Sequence, residues 1–80
     1  MPRIEEFPTP AVRIKRTGQI VLLLEWVRNK HDRWQGHVAW MIHHAGWRGV
    51  DIWLPGDDLE PIEGENYKRV LRHHAHDYPF

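Results

Sequence analysis

Cysteine and serine are both absent from the 80 residues, and threonine occurs only at Thr9 and Thr17. No disulfide framework and no thiolate metal site can form, and the usual hydroxyl and thiol nucleophiles are missing. No apolar run, Ile20 to Leu24 included, approaches the ~20 residues that span a bilayer, and the Met-Pro-Arg start has no apolar stretch of signal-peptide length. The expectation is a cytoplasmic protein with no membrane partner and no cofactor. Net charge is also lacking, which removes the simplest argument for a polyanion ligand, although the zero hides an asymmetry. Residues 1 to 50 carry eight Lys/Arg against four Asp/Glu, and residues 51 to 80 carry three against seven.

What the chain does have is tryptophan. Trp26, Trp34, Trp40, Trp47 and Trp53 fall within 28 residues. A chain this short buries only about 60% of its unfolded surface, so one compact, aromatic-rich core is expected.

The first ten residues, MPRIEEFPTP, hold three prolines and no periodicity, which predicts a flexible extended arm over 1 to 10. Ala11 to Arg16 then alternates apolar and basic with period two, placing Val12 and Ile14 inward and Arg13 and Lys15 outward. Gln19 to Val27 is apolar on both faces at its start and reads as a central strand, with Ile20, Leu22, Leu24 and Trp26 assigned to the core. Arg28 to Arg33 is a polar loop. Trp34 to Ile42 and Trp47 to Leu54 form a hairpin about His43-His44-Ala45-Gly46, with Gly36 marking a bulge or bend. Val38, Trp40 and Ile42 face Val50, Ile52 and Leu54.

Pro55 and Gly56 end that strand, Asp57-Asp58-Leu59 suits one aspartate-capped helical turn, and Glu60-Pro61-Ile62 supplies a last strand at an edge, because Pro61 cannot donate to a ladder. With Leu59 and Ile62 the expected core is complete. Residues 63 to 80 form a polar, histidine-rich extension with a brief helix at 67 to 72.

Asp32-Arg33-Trp34-Gln35-Gly36-His37-Val38 followed by Val50 to Ile62 resembles the Tudor-like branch of the SH3-like small barrels. The likeness covers 11 to 62 and implies an all-β, five-stranded SH3-like barrel with a one-turn 3-10 helix before the last strand. The fold hosts methyl-lysine readers, peptide binders, nucleic-acid binders and scaffolds, so it fixes no function. It also implies that Trp34 takes the place of a cage residue for a methylated ammonium, with Trp53 and Trp47 on strands that bring rings near it.

Trp26 and Trp40 share a face with aliphatics and are assigned to the core. Trp34, Trp47 and Trp53 sit at strand ends or on the opposite face, where with Arg13, Lys15, Arg28, Arg33 and Arg48 they make a stacking-plus-charge surface. The functional expectation is a non-catalytic binding module for a peptide or protein partner or a single-stranded nucleic acid, with homodimerisation through a sheet edge as a further interaction. Two alternatives accompany it. His73-His74-x-His76 carries the ligand types of a surface metal-binding protein, against the plainer reading of a solvated tail whose charge rises below about pH 6.5. Gly49 to Gly64 echoes a segment of small-barrel ribonuclease toxins, although Pro55-Gly56 breaks that spacing.

Overall fold

The computed structural model describes residues 9–74, the last by its backbone alone. Its strands are β1 (Ala11–Ile14), β2 (Ile20–Arg28), β3 (Trp34–His43), β4 (Trp47–Pro55), β5 (Leu59–Pro61) and β6 (Leu71–His74), with a 3-10 turn at Gly56–Asp58 before β5. They form one sheet in the order β4-β3-β2-β1-β5, antiparallel throughout, to which β6 adds by pairing parallel with β2. β4 and β5 lie at its two ends, so among the described residues the sheet is curled but not closed. The all-β expectation holds. Most of the expected arm, residues 1 to 8, lies outside the described residues, but Pro10 is buried and its carbonyl accepts the Leu23 N–H at 2.9 Å.

β1 follows its alternation, burying Val12 and Ile14. β2 does not follow the expected one. Its buried residues are Val21, Leu23 and Val27, whereas Ile20, Leu22 and Leu24 are exposed. The cause is a β-bulge: Leu23 pairs with Val38 and Glu25 with His37, so Leu24 is one residue surplus to β3. Beyond it the phase reverses, turning Trp26 toward the core and Glu25 away. Gly36, expected at a bulge, instead pairs with Trp26, two residues beyond this one. A Cβ on Gly36 would stand 2.6 Å from Leu59 Cδ1 and 3.1 Å from Trp26 Cζ3, so any side chain at this position has to displace Leu59 and crowd the Trp26 ring.

The core gathers Val12, Ile14, Val21, Leu23, Val38, Leu59 and Val70, with Trp26, Trp40, Leu54 and Tyr67 packed partly against it. Ile42, Val50, Ile52 and Ile62, also expected inside, are half-buried or exposed. For Ile42 and Val50 the reason is geometric. β3 and β4 pair one-to-one from Gln35–Pro55 to His43–Trp47, but β2 joins β3 only as far as Leu22–Ala39. The far half of the hairpin therefore projects as a two-stranded ribbon without a third strand to cover it.

Two local expectations are corrected. Pro55, not an aspartate, precedes the 3-10 turn, which has no side-chain cap, and Leu59 already belongs to β5. The brief helix at 67 to 72 does not form: turns lead to Val70, which is buried, and Leu71 starts β6. Leu71-Arg72-His73-His74 is drawn into strand because β1 pairs β2 only through Leu22 and leaves the same edge of β2 open from Glu25 to Arg28.

Candidate functional site

Call the face carrying Leu23 and Val38 inner. On that side Val12, Leu23 and Leu59 floor an apolar pocket of about 420 Å³, walled by Trp26, Trp34, Tyr67 and Pro61 and carrying one charge of each sign, Glu60 and Arg72. That volume falls within the ~300–1,000 Å³ range of small-ligand sites.

Each wall has a local cause. The bulge turns Trp26 inward. Trp34 shares the face of Gly36 and Val38 by strand alternation and remains 38% exposed. Gly56, opening the 3-10 turn, sits against the Trp26 indole and the Trp34 backbone: a Cβ there would lie 3.3 Å from the Trp34 carbonyl oxygen and 3.4 Å from Trp26 Cζ3. The Tyr67 hydroxyl accepts the Ile62 N–H at 2.8 Å and donates to the Ala11 carbonyl at 2.6 Å, so the ring is pinned between β1 and the chain leaving β5.

The three tryptophans expected to act together are not brought together. Trp34 and Trp47 stand at opposite ends and on opposite faces of the β3–β4 hairpin, nine residues or about 30 Å apart along the strand. Trp47 is 70% exposed beside His43, their ring centroids 4.8 Å apart. Trp53 shares the outer face with Trp47 but lies about 20 Å along β4 from it. They form no common cage.

The cations scatter likewise. Arg13 donates to Glu60 at 3.1 Å, and Arg28 is ion-paired with Asp32. Lys15, Arg33 and Arg48 are exposed on separate elements. Of the histidine motif, the His74 side chain and His76 lie outside the described residues, while His73 Nε2 stands 3.4 Å from Glu25 Oε1. Among the described residues no group of three or more His, Cys, Asp or Glu is placed to hold a metal, and no helix is long and apolar enough to cross a membrane.

Sequence reasoning missed a second cluster, on the outer face. Cross-strand pairing of Glu25 with His37 and of His37 with Trp53 sets three strands in one row. His37 Nδ1 lies 2.9 Å from Glu25 Oε2 and Nε2 lies 2.6 Å from Asp51 Oδ2, while the imidazole stacks on Trp53 at 4.4 Å and 11°. Burial alone would lower the His37 pKa. The hydrogen bonds to Asp51 and Glu25 and their negative charges outweigh it, so the net pKa is raised above 6.5 and the imidazolium donates to both carboxylates. Such a ring, with both nitrogens committed, is a clasp between strands and has no nitrogen left to act as a base. Its one legible signal is Glu25, the single acidic residue of β2. Tyr67, the other omission, leaves no periodic trace because it lies outside any regular element.

No protein-family model, no curated protein and no solved structure matches the chain.

Proposed function

We propose that the chain is a non-catalytic peptide-binding module, an open small barrel of SH3-like, Tudor-like type, whose inner pocket takes an apolar side chain of an extended segment. The strand order β4-β3-β2-β1-β5 with a one-turn 3-10 helix between β4 and β5 supports the fold assignment. The observation that carries the function is the pocket itself, with two indoles and a phenol around a floor of Val12, Leu23 and Leu59. Aromatic-walled apolar pockets are where peptide anchors are held.

A single-stranded nucleic acid fits less well, because stacking platforms need rings in line with cations along a groove. Here Trp34 lies on the inner face and Trp47 and Trp53 lie about 20 Å apart on the outer, and the pocket carries Glu60 as well as Arg72. A methylated ammonium would sit against Glu60, but Arg13 neutralises that carboxylate and Arg72 shares the same pocket. An apolar anchor avoids both charges.

The test is a titration of the protein, followed by tryptophan fluorescence, with a peptide array of varied anchor residue and with labelled single-stranded DNA and RNA. Peptides with Leu, Pro or aromatic anchors should bind with little salt dependence, and Trp34→Ala should weaken binding at least tenfold while Trp47→Ala leaves it unchanged. Binding of nucleic acid alone, falling steeply between about 50 and 200 mM salt, would overturn the proposal.

A further inference from the structure

β4 offers its outward edge along nine residues, Trp47–Pro55, and pairs on one side only among the described residues. Small β-proteins ordinarily blunt such an edge with lysines, proline, a bulge or an inward-pointing charge. β4 has no lysine, its proline comes last, its register with β3 is unbroken, and its inner face carries a single charge, Arg48, next to its first residue. Beyond Ala39 the ribbon has no third strand, with Trp40, Ile42 and Val50 on the inner face and Met41, 59% exposed, and Trp47 on the outer. Two strands alone are marginal in water, so this ribbon calls for a neighbour.

The sequence of β4 selects which neighbour. Two copies joined edge to edge about a two-fold axis normal to the sheet keep their outer faces on the same side, so odd-numbered residues meet odd and even meet even. The register that overlaps the whole strand is centred on Asp51 and sets Asp51 against Asp51. Centring on Arg48 sets two arginines together. Like charges directly opposite are destabilising. Centring on Val50 avoids both. Residues 47 to 53 then overlap: Val50 meets Val50, Arg48 meets Ile52, Gly49 meets Asp51, and Trp47 meets Trp53 of the second copy, twice over by symmetry. Cross-strand aromatic pairs are among the favourable ones. The zero net charge adds no long-range repulsion between copies.

We propose that two copies of this chain pair antiparallel along β4 about an axis at Val50, making one continuous sheet that passes through both molecules and covers the projecting ribbons. The peptide pocket, at the other end of the hairpin and on the inner face, is left open in each copy.

The absence of cysteine makes the register directly testable. In Val50→Cys the two thiols stand opposite one another on the axis, within the reach that a disulfide needs. Mild oxidation should cross-link most of the protein as a dimer, whereas Lys68→Cys, exposed and remote from β4, should cross-link only at the rate of chance collision. Sedimentation equilibrium of the unmodified chain, from low micromolar to millimolar, should show a mass rising from 9.6 kDa toward twice that value. Val50→Lys should hold it at the monomer mass with an unchanged circular dichroism spectrum. A native chain that stays monomeric throughout overturns the proposal, whether or not the lysine variant folds. A dimer in which Val50→Cys cross-links no better than Lys68→Cys also overturns it.

Discussion

Replacing His37 with alanine removes the centre of the clasp that joins β2, β3 and β4. Its bond to Glu25 lies between side chains only 16% and 20% exposed, so it counts as a largely desolvated charge-assisted hydrogen bond, worth about 2 kcal/mol. The bond to Asp51 is shorter, but that carboxylate is 62% exposed and screened, which reduces it to about 0.5 kcal/mol. Loss of the stack on Trp53 adds about 0.5 kcal/mol. The expected destabilisation is about 3 kcal/mol, and at about 4–8 °C per kcal/mol for a domain of this size the midpoint should fall by roughly 12–24 °C. Because the folded pKa of His37 is raised, its stabilisation is complete below its unfolded value of about 6.5 and fades as pH rises through the folded value. His73 also faces Glu25, so the quantity to follow is the difference between native and His37→Ala proteins, measured by urea unfolding between pH 6 and pH 9. That difference should be largest at pH 6 and shrink toward pH 9. A difference below about 1 kcal/mol, or one that grows with pH, would refute the clasp.

Neighbouring leucines on β2 separate the observed register from the one expected by simple alternation. Leu23→Ala, at a position with no exposure, should cost about 2–5 kcal/mol in chemical denaturation, while Leu22→Ala, 43% exposed, should cost under about 1 kcal/mol; the reverse order would restore the unbulged strand. Tyr67→Phe keeps the ring but removes the hydroxyl shared by Ala11 and Ile62, and should cost about 1–2 kcal/mol while raising amide exchange at Ile62. Unchanged exchange there would show that the bond does not hold the loop.

β1, β3 and β4 are legible because their apolar and polar residues alternate, and the 3-10 turn because Pro55-Gly56 and two aspartates punctuate it. β2 is not, since Ile20-Val21-Leu22-Leu23-Leu24 is apolar at every position and no periodicity says which face is buried or that one residue is surplus. β6 is hidden for another reason: its polar residues enter the sheet only because β1 stops pairing at Leu22 and leaves that edge of β2 vacant. The pocket was half visible through Trp34, but its other rings depend on the bulge at Trp26 and on a long-range hydroxyl contact at Tyr67. The histidine clasp needs register across three strands, which local patterns do not carry.

Leu24 is part exposed, lies outside the core cluster and has no partner residue of its own on β3. Its importance is that of a spacer. Left out of the ladder with β3, it lets Glu25 reach the clasp and Trp26 the pocket. A different side chain at 24 is therefore tolerable, whereas pairing residue 24 into the ladder would exchange the destinations of Glu25 and Trp26, placing a carboxylate in the pocket and an indole on the clasp. Both faces of this small sheet are phased by leaving one residue out of the ladder.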